Sequence, residues 1–211
     1  MKNRIKDRFT ITVYRMILVV RPGEVPKLMP SDVNNAFDVA FWFADTALNE
    51  NEYLQQQKLQ RLLYIAQGYY AIIHKGRKLM PAVFVADAAG PIEPNIFMAF
   101  SRGRPDIEAE LFLPHEVQEF LSQLWRRFGH MPIDRLNAIT KETSAYKDAL
   151  ERGPRAEIPL REISRSFIES REGPGATQVS KQKVYRTQDG RPVQVKAWMP
   201  GAVSNFKSGV K

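Results

Sequence analysis

The sequence contains no cysteine. Disulfides, Cys-ligated zinc and thiol catalysis are therefore excluded, and a cytoplasmic setting is expected. Histidine is scarce: His74, His115 and His130 are the only three. None stands in a metal-ligand spacing such as H-E-x-x-H, and no glycine-rich phosphate cradle or G-x-S-x-G elbow occurs. Long apolar runs are also missing. The N-terminal "MILVV" is bracketed by Arg15 and Arg21 and is followed by no small-residue cleavage site, so no signal peptide is expected. The stretch "KLQRLLYIAQGYYAIIHKG", residues 58–76, carries Lys58, Arg61 and Lys75 and is too short to span a bilayer. These absences leave an enzyme with no residues to work with. No cofactor, no metal and no membrane are expected.

What is present is the composition of a globular chain. Of 211 residues, 44% are hydrophobic and 26% charged, enough apolar material to bury a core. The net charge of +8 is uneven. Residues 1–27 hold seven Lys/Arg against two Asp/Glu, a net of +5. Residues 174–211 hold seven against Asp189 alone, a net of +6, which leaves the middle at −3. Three segments are expected: a basic N-terminal extension over 1–28, a helical domain over 29–170, and a basic tail with a hairpin over 171–211. Basic ends suit nucleic acid or acidic partners, although blocks of like charge are most often solvated arms.

The middle reads as helices. "SDVNNAFDVAFWFADTALNE" offers Ser31 or Asp32 as N-cap and an apolar stripe of Val33, Phe37, Ala40, Phe41, Ala44 and Leu48. In 58–76, Leu59, Leu62, Leu63, Ala66, Tyr70 and Ile73 form one stripe, and Ile65, Tyr69 and Ile72 form a second. A helix apolar on two faces is buried between neighbours. Gly68 in its interior suits close approach of another chain segment, and Gly76 is a candidate C-cap. A short extended element is expected near 83–86, followed by the rigid "GPIEP" turn. Amphipathic helices follow in "LPHEVQEFLSQLWRRFG", "MPIDRLNAITKET", "SAYKDALERG" and "PLREISRSFIES", for six or seven helices in all. "GPGATQVSKQ" has a linker's composition. The residues flanking "QDG" alternate as a hairpin does. The fold class is mainly α: a compact helical bundle around a buried central helix, with a short extended element and a C-terminal β-hairpin.

Three blocks in order, "KLQRLLYIAQGYYAIIHKGRKLM", "VADAAGPIEPNIF" and "FLSQLWRRFGHMPIDRLNAITKETSAYKDAL", resemble the Panacea antitoxin domain family over about residues 33–168. The likeness is carried by Leu59, Gln60, Leu62, Leu63, Tyr64, Ala66, Gln67, Gly68, Gly90, Pro91 and Pro94. Two positions of the late segment depart from the family pattern: Lys141 stands where histidine is usual and Tyr146 where tryptophan is usual. Ala88-Ala89 replaces an aromatic-basic pair before the GP turn.

The resemblance implies an antitoxin rather than an enzyme. Such a protein neutralises a cognate protein toxin, usually encoded next door, by direct protein–protein binding, and some relatives deliver the toxin to the ClpXP protease. It makes Gln60, Arg61, Tyr64, Gln67, Gly68, Gly90, Pro91, Pro94 and Tyr146 the candidate partner-binding positions. Gln60 and Gln67 have a second reading, because a buried glutamine must find hydrogen-bond partners and the GP turn offers carbonyls. In the tail, Tyr185, Arg186, Arg191 and Trp198 are candidate contacts. Interleaved aromatics and cations also suit single-stranded nucleic acid. The alternative function is therefore a nucleic-acid-binding regulatory module using the basic termini.

Overall fold

The computed structural model describes residues 31–107, 113–170, 173–179, 185–186 and 192–193. The expected extension over 1–28 lies outside the described residues, as do Arg191 and Trp198. Of Tyr185 and Arg186 only the backbone is described.

α1 (Ala36–Asn49) begins where Asn35, in extended conformation, accepts a hydrogen bond from the Phe37 amide at 3.0 Å. Ser31 and Asp32, the N-caps expected from the sequence, do other work. Ser31 bridges to Lys78, and Asp32 accepts from the Tyr70 hydroxyl and from Arg77. The side chain that closes the helix is the one adjacent to the first helical turn.

α2 (Gln56–Ile73) is buried at every residue from Leu59 to Ala71. Its two apolar stripes meet α1 on one side and, on others, α5 (Ile133–Lys141) and α7 (Leu160–Glu169). It starts two residues before the expected stretch and ends at the C-cap His74. Gly76 lies beyond the cap with φ +91°, and its amide reaches back to the Ala71 carbonyl at 2.6 Å.

Gly68 faces α7. A Cβ there would stand 3.0 Å from Ile163 Cγ2 and closer still to the Phe167 ring. That ring is wedged between Tyr64 and Tyr69, with centroids at 5.6 and 5.1 Å, and has little room to withdraw. Alanine gains about 1 kcal/mol of helix propensity over glycine, but overpacking a filled core costs about 1–3 kcal/mol. We expect Gly68→Ala to be destabilising by about 1–2 kcal/mol in a urea titration. An unchanged or raised midpoint would show that α2 and α7 do not meet at this position.

The extended element is a small antiparallel sheet in the order β2-β1-β3, from β1 (Phe84–Asp87), β2 (Gly90–Ile92) and β3 (Glu157–Ile158). The register pairs Asp87 with Gly90 and Phe84 with Ile158. The third strand was not foreseen, because two residues before Pro159 carry no alternating pattern. α3 (Pro94–Ala99) follows the sheet, with Pro94 in its first turn. α4 (His115–Leu124) passes without a break into a π-helical turn, Trp125–Gly129, in place of the single helix expected there. α6 (Ser144–Arg152) starts after Thr143, whose hydroxyl donates back to the Thr140 carbonyl at 2.7 Å rather than capping the helix, and is ended by Gly153 at φ +135°.

The "GPGATQVSKQ" stretch corrects its linker reading. Residues 173–179 pack on the body, and α8 (Ala176–Val179) lies against α2 and α4 with Val179 2% exposed. Composition could not show this, since the anchors lie on other elements. Beyond α8, β4 (Tyr185–Arg186) pairs antiparallel with β5 (Pro192–Val193), Tyr185 opposite Val193. No helix among the described residues is long and apolar enough to cross a membrane.

Candidate functional site

The candidate residues converge on the β1–β2 turn. Arg61 projects from α2 with 0% exposure. Its Nε donates to Asn137 Oδ1 on α5 at 2.8 Å, Nη1 donates to the Pro91 carbonyl at 2.8 Å, and Nη2 donates to the Ala89 carbonyl. β2 is an edge strand, and Pro91 has no N–H for a further ladder. The guanidinium stands where a fourth strand would otherwise pair, and its planar fork suits acceptors spaced along one chain.

Helices α5 and α6 close the rest of the turn. Tyr146 Oη donates to the Asp87 carbonyl at 2.7 Å, and Lys141 Nζ donates to the Ala88 carbonyl at 3.3 Å. The carbonyls of Asp87, Ala88, Ala89 and Pro91 are thus all taken by donors from three helices. Asp87 Oδ1 accepts the Ala89 amide at 3.0 Å and tightens the turn. Gly90 has φ +126°, and a Cβ on it would collide with the Arg61 guanidinium, 2.9 Å from Nε and closer to Nη2 and Cζ. Both facts require glycine. Lys141 and Tyr146, the two departures in the late segment, therefore meet the Ala88-Ala89 departure at one place.

Burial dominates the electrostatics. It pushes the Arg61 pKa down to about 10, with Tyr146 and Asp87 acting in the opposite direction, so the cation persists at neutral pH. Burial also raises the phenols of Tyr146 and Tyr64. Tyr64 Oη lies 3.4 Å from Thr143 Oγ1, and its ring meets the Phe84 ring edge-on.

The glutamines are buried and structural in their contacts. Gln60 Oε1 accepts the Glu93 amide at 2.7 Å, just past the GP turn. Glu93 in turn caps α3 through the Ile96 amide at 2.7 Å. Gln67 pairs in both directions with the Met80 backbone, at 3.2 and 3.3 Å. Of the nine motif positions, only Pro94 is partly exposed, and Gln60, Arg61, Tyr64, Gln67, Gly68, Gly90, Pro91 and Tyr146 are buried. A partner would meet the surface these residues shape rather than the residues themselves.

A second cluster fixes where the tail starts. Tyr69 Oη donates to the Pro174 carbonyl at 2.6 Å, and burial pushes this phenol up to about 12. A Cβ on Gly173 would stand 2.7 Å from the same hydroxyl. Arg127 of the π-helical turn donates to Gln178 Oε1 at 3.3 Å.

The histidines are apart from both clusters. His74 stacks on Tyr70, His115 pairs with Glu119, and His130 sits between Glu50 and Glu52 at 3.5 and 3.2 Å. No group of three or more His, Asp or Glu is placed to hold a metal ion among the described residues.

Sequence periodicity missed the exposed apolar residues. Leu48, placed in the α1 stripe, is 68% exposed, because the buried side of α1 runs instead through Ala36, Val39, Ala40, Phe43 and Ala47. Tyr53 is 83% exposed and Met98 70%. Gln56 donates to the Phe97 carbonyl, which brings the start of α2 to α3 and hence Tyr53 and Met98 to the same region.

No family model matches the chain. No solved structure matches it. Among curated proteins, the chain is 26% identical over 118 residues to "Antitoxin SocA" of Caulobacter vibrioides (strain NA1000 / CB15N). The match covers 48% of this chain and 62% of that protein, so less than two thirds of the relative's length is spanned.

Proposed function

We propose that this chain is an antitoxin that neutralises a cognate protein toxin by direct contact. The observation that carries the reading is the similarity to antitoxin SocA. The finer reading is that the chain also acts as an adaptor delivering the toxin to ClpXP, in the cytoplasm, with the toxin encoded by an adjacent gene. α2 is the central post of the helical body in this reading. The body, residues 29–170, binds the toxin, and the tail over 171–211 supplies a second contact.

The burial of the motif residues directs attention to the surface. A specific interface buries about 1,200–2,000 Å², and exposed Tyr53 and Met98 are apolar anchors available near α3. A tethered second contact would raise affinity through effective concentration.

The test is co-expression with the neighbouring reading frame. We expect the neighbour to be toxic alone, harmless with this chain, and recovered in complex with it. A chain that forms no complex with the neighbour and gives no protection would overturn the antitoxin reading. Toxin half-life in cells with and without ClpX then decides the adaptor step. A half-life unchanged by ClpX, with protection intact, would leave neutralisation by binding alone.

A further inference from the structure

We infer that the cleft between the loop after α2 and the β3–α7 junction receives an apolar side chain from an acidic segment of the toxin. The inference rests on the antitoxin reading and adds to it the place of contact and the chemistry of the partner. One wall of the cleft comes from residues 78–83 and the other from residues 157–163. The first is held where the Asp32 and Val33 amides donate to the Lys78 and Leu79 carbonyls, at 3.0 and 2.9 Å. The second is held by the pairing of Phe84 with Ile158 between β1 and β3. Both walls are fixed before a partner arrives, which spares binding the cost of ordering a loop.

The size of the cleft decides what fits. Its volume is about 40 Å³. At about 10–15 Å³ for each water, this is room for about three waters, whereas a small-molecule site takes about 300–1,000 Å³. The end of a single side chain fills it. Buried Phe84, Ile158 and Ile163 line it. Gln67, the buried polar residue on the lining, has both ends of its amide engaged by the Met80 backbone. An apolar tip therefore suits the interior. Val83, also on the lining and 50% exposed, carries the apolar surface outward. Neither Tyr53 nor Met98 lines the cleft, so this contact is separate from theirs.

The surrounding charges set the sign of the partner. Lys78 and Glu157 are the two ionisable residues on the lining. Lys75 precedes Lys78 by three residues, and Arg161 follows Leu160 of the lining. Among the described residues, Lys75, Lys78 and Arg161 make no ion pair and no side-chain hydrogen bond. The neighbouring acids are committed. Asp32 accepts from Arg77 and from the Tyr70 hydroxyl, and Glu162 pairs with Arg152 at 3.7 Å. Glu116 lies near Tyr70 and does not line the cleft. Three uncommitted cations against the carboxylate of Glu157 complement a negative surface. Phosphates alone would leave the apolar lining unused. An acidic protein segment with one apolar side chain at its tip satisfies both the charges and the lining.

The experiment measures binding of the neighbouring gene's product to the immobilised full chain and to three single variants, at low and high salt. Lys78→Glu should weaken binding about tenfold at low salt, with a smaller loss at high salt. Val83→Asp sets a carboxylate against the acidic segment in place of apolar surface and should weaken it about tenfold or more. Glu157→Gln removes the opposing charge and should tighten it about two- to fivefold. The altered side chains are unpaired or half exposed, and circular dichroism melts verify that each variant folds like the unaltered chain. If the full chain holds the neighbour but folded Lys78→Glu and Val83→Asp hold it equally well, the antitoxin reading stands and the cleft is overturned. If Glu157→Gln weakens binding, the acidic character of the segment is overturned. If Val83→Asp splits a dimer of the free chain and leaves toxin binding unchanged, the cleft joins two copies and the inference is overturned. A full chain that holds no neighbour overturns the antitoxin reading and this contact with it.

Discussion

Arg61→Ala is expected to destabilise the fold by about 3–5 kcal/mol, from two orphaned carbonyls at about 1–3 kcal/mol each and an added cavity. The guanidinium is fully buried, and among the described residues it alone answers the Pro91 and Ala89 carbonyls on the sheet edge. Arg61→Lys keeps the charge but cannot reach Asn137, Pro91 and Ala89 at once, because an ammonium is a point donor rather than a fork. It should recover only part of the loss. Gly90 provides the internal control. Gly90→Ala carries backbone strain of about 1–3 kcal/mol and also a collision with the guanidinium. In the Arg61→Ala background the collision disappears and the strain remains. The double variant should therefore be more stable than the sum of the singles by at least about 1 kcal/mol. Urea midpoints of the four proteins measure this. Additivity within about 0.5 kcal/mol would mean that the guanidinium is not seated against Gly90.

The second large effect separates the tail from the body. Truncation after Ile168 should cost about 2–5 kcal/mol. It removes buried Val179, at about 1.5–3 kcal/mol, and takes the Pro174 carbonyl from the Tyr69 hydroxyl, at about 1 kcal/mol. Truncation after Ser180 leaves both contacts in place and should melt within a degree or two of the full chain. Only the chain ending at Ser180 therefore reports on function. If it still holds the toxin and protects cells as the full chain does, the tail contact is wrong. If it holds the toxin but no longer shortens its lifetime, the tail serves the adaptor step. If the chain truncated after Ile168 melts like the full chain, the packing of residues 173–179 is wrong.

Reading the chain forward, the helices were legible because burial imposes a period that survives without knowing the partner. Leu59, Leu62, Leu63 and Ala66 had to face a core whatever lay opposite. Gly68 was legible as a place of close approach, and the GP turn as rigid, because both follow from local backbone chemistry. The unequal charge of arms and middle was likewise a property of residue order alone. The motif could be recognised in sequence, but its meaning could not. Arg61, Lys141 and Tyr146 are 80 and 85 residues apart along the chain at the extremes, and only the packing of α2, α5 and α6 shows that they donate to consecutive carbonyls of one turn. Hydrogen bonding across such separations leaves no periodic trace. The same reason hid β3, which pairs because β1 has an open edge, and α8, which is held by Tyr69 and Arg127. Leu48 marks the converse case: apolar residues occur nearly all round α1, so periodicity chose a side through Phe37, Ala44 and Leu48, whereas packing buried the side through Ala36, Val39, Phe43 and Ala47.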